Sequence, residues 1–194
     1  LSEKMAPEDL VSFLNEYFDI MTNVLKAEGG TLDKYIGDSI MAFYGAPLPL
    51  EKHALRACKT ALKMQKKLDT WNESHPELDD VSLRIGINTD DVIVGNTGSE
   101  KFMNYTVIGD GVNVAARLEA SAEPGGITLS GKFHDEVSRK LDMNFVSTGE
   151  QEMKNITNPV PTYKIEVSSL PKAEASSKTE LIIETSAKDQ GSTS

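Results

Sequence analysis

Between positions 29 and 47 the chain reads Gly29-Gly-Thr-Leu-Asp-Lys-Tyr-Ile-Gly-Asp-Ser-Ile-Met-Ala-Phe-Tyr-Gly-Ala-Pro47. Two apolar runs, each too short for a helix, flank a Gly-Asp pair, with a double glycine before them and a proline after. That arrangement predicts strands over 31–35 and 39–44 joined by a turn at Gly37-Asp38. Helical periodicity stands on both sides. Over 7–28, Leu10, Phe13, Leu14, Tyr17, Met21 and Leu25 recur on one face, Glu8 and Asp9 favour the start, and Gly29-Gly30 ends the run. Over 51–70, Ala54, Ala57, Ala61, Met64 and Leu68 form a second stripe. A hairpin held between two amphipathic helices predicts an α+β domain.

The remainder extends the pattern. Val81 to Ile87, Val92 to Val94 and Met103 to Ile108 read as strands, with Asp90-Asp91 expected as a hairpin turn between the first two. A helix is predicted from Asp110 to Ser121, with Asp110 as its N-cap. A strand over 127–129, a helix over 131–140 and strands over 144–149 and 161–167 follow. From Ser168 the composition shifts to Ser, Lys, Glu, Thr and Ala, so 168–194 is expected to be a disordered tail behind a domain over 1–167. Leu181-Ile182-Ile183 is its only apolar patch.

Bulk properties remove several function classes. A net charge of −10 argues against a general nucleic-acid or anionic-membrane surface. No apolar run approaches the roughly 18–20 residues of a membrane span. A lone cysteine, Cys58, permits no internal disulfide and suits a reducing compartment, so a cytoplasmic location is expected. His53, His75 and His134 have no zinc spacing, and no Ser or Cys nucleophile motif is present.

The remaining candidates are phosphate and metal chemistry. Asn113 and Arg117 are four residues apart, on one face of a helix. A guanidinium there can stabilise charge on phosphate oxygens, and the amide can bond a ribose. Asp38 at a strand turn can reach a divalent metal. Lys34 lies on the preceding strand, on the same side as Ile36. Gly109-Asp110-Gly111 can present backbone N–H groups to an anion. Taken singly, each has an ordinary structural reading that is at least as good: a solvated helix face, a Gly-Asp hairpin turn, a polar strand edge, an N-cap.

Together with their surroundings these segments resemble the class III nucleotidyl cyclases, the adenylyl/guanylyl cyclase catalytic domain. The resemblance is carried by residues 29–47, Arg84-Ile-Gly-Ile-Asn-Thr89, Val94-Gly-Asn96, Tyr105-Thr-Val-Ile-Gly-Asp-Gly-Val-Asn-Val-Ala-Ala-Arg-Leu-Glu119 and Pro159-Val160…Tyr163, and spans about 1–167. It implies a ferredoxin-like α+β core, with a mixed and mostly antiparallel sheet. It also implies conversion of ATP to 3′,5′-cyclic AMP and pyrophosphate, with two Mg²⁺ or Mn²⁺ ions per site.

By position, Asp38 matches a metal-binding aspartate, Asn113 the ribose-orienting asparagine and Arg117 the transition-state arginine. Lys34 matches the adenine-recognising lysine, with Thr106 at its partner position, where many members have Asp. Lys101 and Lys154 are candidate phosphate contacts. A guanylyl cyclase usually carries Glu at the Lys34 position, so Lys34 favours ATP. The implied active unit is a head-to-tail homodimer, one subunit giving the metal aspartates and the other Lys34, Thr106, Asn113 and Arg117. A regulatory sensor module in the parent protein is also implied.

Three departures qualify this. The family strand of the form F-x-D-I-x-G-F, carrying a second metal aspartate, is expected just ahead of Leu1, and no segment of the 194 residues reproduces it. The expected Asn-Thr-Gly turn reads Asn88-Thr89-Asp90-Asp91. Relatives often have an arginine near Phe102 and a Lys-Gly pair where Lys154-Asn155 stands. A guanylyl cyclase and an inactive nucleotide-binding or dimerisation module are the alternatives.

Overall fold

The computed structural model describes residues 7–166. The expectations placed on residues 1–6 and on the tail from 168 lie outside the described residues. The first helix, α1, spans Pro7–Ala27, with Glu8 and Asp9 in its first turn and Lys26 in its last, the charge order that a helix dipole favours. It closes where Gly29 takes φ 80, and the Gly30 amide donates to the Leu25 carbonyl at 3.0 Å. β1 (Thr31–Ile36) and β2 (Ser39–Phe43) then form an antiparallel hairpin around Gly37 at φ 62.

α2 (His53–Ser74) packs on α1. Tyr17 and Met21 meet Leu68 at this contact, with Phe13, Met64 and Ile40 around them. The Trp71 indole N–H donates to Glu16 Oε1 at 2.9 Å, tying the two helices together at the edge of that cluster.

After α2 the structure departs from the sequence expectation. Val81–Leu83 is not a strand, and β3 is the short segment Ile85–Ile87. Side chains of α2 occupy the backbone groups a ladder would need. The Val81 amide donates to Asn72 Oδ1 at 3.0 Å, and its carbonyl accepts from Asn72 Nδ2 at 2.9 Å. Gln65 Nε2 donates to the Leu83 carbonyl at 2.8 Å. A segment satisfied by side-chain amides does not need sheet pairing.

β4 (Ile93–Ser99) and β5 (Phe102–Ile108) form the next hairpin, turning at Glu100-Lys101. The expected β3–β4 hairpin at Asp90-Asp91 therefore does not form. β3 instead pairs parallel with β6 (Ile127–Ser130), a pairing that needs the intervening chain as a crossover. That crossover contains α3 (Asp110–Ser121). α4 (Gly131–Val137) follows β6 and stops short of the predicted end at 140. The Lys140 and Leu141 amides both close on the Val137 carbonyl, at 2.9 and 3.1 Å. β7 (Phe145–Gln151) and β8 (Val160–Ile165) complete a four-stranded sheet of order β3-β6-β8-β7. Apart from β3–β6, every strand pair among the described residues is antiparallel.

The main core lies between α2, α4 and this sheet. Ala54, Cys58 and Ala61 of α2 face Ile127 and Leu129 of β6, Phe133 and Val137 of α4, and Ile165 of β8. Small residues on α2 permit the close approach to the sheet. Burial pushes the Cys58 thiol up to about 11, so it behaves as a small apolar side chain.

α3 sits against the other end of the sheet through Gly86. A Cβ at Gly86 would lie 2.3 Å from the Ala115 carbonyl oxygen and 2.2 Å from the Glu119 amide nitrogen. Both are backbone atoms and cannot rotate away. Gly86→Ala is therefore expected to cost roughly 3 kcal/mol and to lower the thermal midpoint by about 6–12 °C. Circular-dichroism melting checks this, and an unchanged midpoint would contradict the close contact.

Candidate active site

Lys34 and Thr106 come from hairpins far apart in sequence and meet in space. Lys34 Nζ donates to Thr106 Oγ1 at 3.2 Å, linking β1 to β5 across 72 residues. Thr106 is buried, whereas the Lys34 side chain keeps 46% of its surface exposed. A hydroxyl fixed in the wall thus holds an ammonium whose remaining surface faces outward. The same Nζ lies 3.2 Å from Asp33 Oδ2. The Asp33 side chain is fully enclosed, and neither of its oxygens has a hydrogen-bond partner.

Asp38 stands exposed in the turn after Gly37. Its carboxylate is close enough to α1 to act on Tyr17, whose hydroxyl is pushed up to about 12, first by burial and second by the Asp38 charge. Among the described residues no group of three His, Cys, Asp or Glu side chains converges. A single exposed carboxylate on a rigid turn fits a hard cation such as Mg²⁺. Such an ion binds through one or two carboxylates plus substrate phosphates rather than in an all-protein cage.

Asn113 and Arg117 lie on the exposed face of α3, while Val114 and Leu118 form its buried face. Leu118 and Val114 pack with Met153, so the turn carrying the exposed Lys154 is anchored beside α3. Lys101 is exposed in the turn between β4 and β5. The N-cap of α3 is Gly109, at φ 155, rather than Asp110, which is the first helical residue. No side chain caps this end.

The structure therefore brings Lys34 to Thr106, and Asn113, Arg117 and Lys154 to the neighbourhood of α3. It does not bring Asp38 to that helix as one packed unit. The β1–β2 hairpin rests on α1 and β5, and α3 rests on β3 and β6. Apolar side chains line the exposed surface of the β4–β5 hairpin, with Phe102 80% and Ile93 76% exposed, and Met103 and Ile108 beside them.

A family model described as the adenylate and guanylate cyclase catalytic domain matches residues 1–167. The chain belongs to that family. Adenylate cyclase 1 of Rhizobium meliloti (strain 1021) is 32% identical over 167 residues, which are 85% of this chain and 25% of that protein. The adenylate cyclase of Anabaena cylindrica is 35% identical over 135 residues, which are 66% of this chain and 26% of that protein. This cyclase domain thus spans about a quarter of the length of these curated relatives.

Among solved structures, the adenylyl cyclase CyaB from P. aeruginosa matches with a TM-score of 0.80 and 31% identity, covering 84% of this chain and 85% of that one. The guanylyl cyclase Cya2 matches with a TM-score of 0.77 and 34% identity, covering 84% of this chain and 83% of that one. Both adenylyl and guanylyl cyclases are therefore near in fold, and the family is generally metal-dependent.

Two residues near the site were not singled out by sequence. Asp33 neighbours Lys34, but strict strand alternation would send it to the opposite face. Asn88 has a clearer signal, since it falls where the family turn is expected. In the cyclase domain its Nδ2 donates to the Gly111 carbonyl at 3.0 Å, fastening the loop after β3 to the first turn of α3. Beside it, Lys132 Nζ pairs with Asp90 at 2.6 Å, with the ammonium held above its usual range by that contact. Asn88→Ala is expected to cost about 1 kcal/mol and to speed amide exchange in the first turn of α3 about fivefold. Exchange measured by NMR or mass spectrometry checks this; unchanged protection there would count against the clamp.

Proposed function

We propose that this chain is the catalytic domain of an adenylate cyclase that forms 3′,5′-cyclic AMP and pyrophosphate from ATP at a homodimer interface. The observation that carries the choice of ATP is the Lys34–Thr106 contact. An ammonium held by a neutral hydroxyl can donate to N1 of adenine, an acceptor. Guanine presents N1–H there and would meet donor against donor. Likeness to guanylyl as well as adenylyl cyclases leaves the base open, so the assignment rests on this pair.

The other roles are those the family resemblance implies, and the exposed placement of these residues is compatible with them. Asn113 orients the ribose so that its 3′-hydroxyl faces the α-phosphorus in line. Arg117, one turn further on the same exposed face, stabilises the charge that gathers on the α-phosphate oxygens as the new P–O bond forms and pyrophosphate leaves. Lys154, with Lys101 as a further candidate, offers an ammonium to the triphosphate. Mg²⁺ or Mn²⁺ bound at Asp38 would supply charge neutralisation and lower the pKa of the attacking hydroxyl.

The separation of the two half-sites supports assembly from two subunits. Asp38 belongs to the hairpin packed on α1, and Asn113 and Arg117 belong to α3. The exposed apolar surface of β4–β5 supports that hairpin as part of the interface. A head-to-tail arrangement then sets Asp38 of one subunit against Asn113 and Arg117 of the other, giving two equivalent sites per dimer. Because the chain covers about a quarter of its curated relatives, a sensor module elsewhere in the parent protein fits this reading.

Two experiments test it. Arg117→Ala should lower kcat for ATP by about 10²–10³ while the dimer persists in sedimentation. Equal mixing of Arg117→Ala with Asp38→Asn should then restore about a quarter of wild-type sites, since half the dimers are mixed and each has one intact site. No recovery on mixing would remove the shared-site arrangement. Separately, Lys34→Glu should move the preference from ATP towards GTP, read as the ratio of kcat/KM values. An unmoved ratio would refute the adenine assignment.

A further inference from the structure

The strongest unexplained feature among the described residues is the Asp33 carboxylate. Its side chain is fully enclosed, and neither oxygen has a hydrogen-bond partner. A buried carboxylate left that way is costly unless a cation stands close by. Here the cation is the Lys34 ammonium at 3.2 Å. Consecutive residues on a regular strand point to opposite faces and cannot make this contact easily. The register of the β1–β2 ladder slips at this point. Leu32 lies opposite Ala42 and Lys34 opposite Met41, which leaves Asp33 without a partner of its own. A bulge of this kind re-aims a side chain, and here it turns the carboxylate towards its neighbour's ammonium.

We infer that Asp33 is a positioning residue for base selection: it fixes the Lys34 ammonium against Thr106 so that one N–H remains to read the purine edge. This rests on the adenylate cyclase reading for the identity of the base. An ammonium has three donors. One goes to Thr106 Oγ1, and the Asp33 carboxylate holds the same ammonium as an ion pair at 3.2 Å without accepting a hydrogen bond from it. An N–H left over can meet a single acceptor, which adenine N1 provides and guanine N1–H does not. Thr106 is neutral, so the charge that anchors Lys34 comes from within its own strand. A lysine without that anchor would sample many rotamers and would discriminate bases poorly.

The test separates this inference from the cyclase reading by using nucleotides that cannot cyclise. Equilibrium binding of 3′-deoxy-ATP and 3′-deoxy-GTP, with Mn²⁺, is measured for the wild-type chain, Asp33→Asn and Asp33→Ser. Both variants should weaken 3′-deoxy-ATP by about tenfold and 3′-deoxy-GTP by much less, so the selectivity ratio collapses. Equal weakening of both ligands, or an unchanged ratio, overturns the inference; so does a wild-type chain that binds the two equally. ATP-selective binding without cyclic AMP formation by the wild type overturns the cyclase reading and leaves the role of Asp33 standing.

A thermal-stability cycle tests the pairing independently of any nucleotide. Lys34→Met should lower the melting midpoint by stranding the buried carboxylate, and Asp33→Asn/Lys34→Met should recover at least half of that loss. Losses that simply add in the double variant overturn the ion pair.

Discussion

The seating of α3 on β3 at Gly86 is the contact on which the proposed chemistry depends. The helix backbone comes so near the strand that a single methyl group would overlap three of its backbone atoms. That proximity fixes the depth of α3 on the sheet. The clamp from Asn88 to Gly111 fixes its first turn. Met153, packed on Val114 and Leu118, draws the Lys154 turn to the same helix. Asn113 and Arg117 therefore project from a helix held at three places, the kind of anchoring that their proposed transition-state role would need.

The β1–β2 hairpin, whose Lys34 and Asp38 the proposed function assigns to opposite half-sites, is built on a different principle. Lys34 and Asp38 sit on a two-stranded hairpin that alone would be marginal. It gains support from α1 beneath it and from the Lys34–Thr106 contact across to β5. The hairpin gives up one regular pair at Asp33 and in exchange presents a carboxylate to Lys34. Local irregularity at a recognition residue is common where a side chain must be re-aimed. The separate four-stranded sheet, with β6 buried along its full length, has one register shift of its own, between Ser147 and Gly149 in β7.

Most elements were legible in sequence because their patterns are local. The stripe ending at Met21 and Leu25, the Gly29-Gly30 stop and the Gly37 turn each specify structure within a few residues, and α1, β1 and β2 formed there. Failures occurred where distant groups competed for backbone. Val81–Leu83 has a strand's composition, but Asn72 and Gln65 of α2 take its amide and carbonyl groups. Asp90-Asp91 has a turn's composition, yet β3 finds its partner in β6, and the chain between them becomes a crossover. The residues of the candidate site were legible as a set through the family pattern, while their individual spacing favoured ordinary structural roles.

The sequence by itself determined the α+β class, the helical faces, the turn that carries Asp38 and the four-residue spacing of Asn113 and Arg117. These depend on periodicity and on the conformational freedom of glycine, both properties of short stretches of chain. The Lys34–Thr106 contact was expected through the family pattern and is present in the fold; only the tertiary structure decided that Asp33 is enclosed against Lys34 and that α3 and the β1–β2 hairpin stand on separate parts of the fold. Each of those depends on pairing register or on contact between segments tens of residues apart. Such contacts are selected by what the whole core can bury and which polar groups it must satisfy, and no local pattern records that choice.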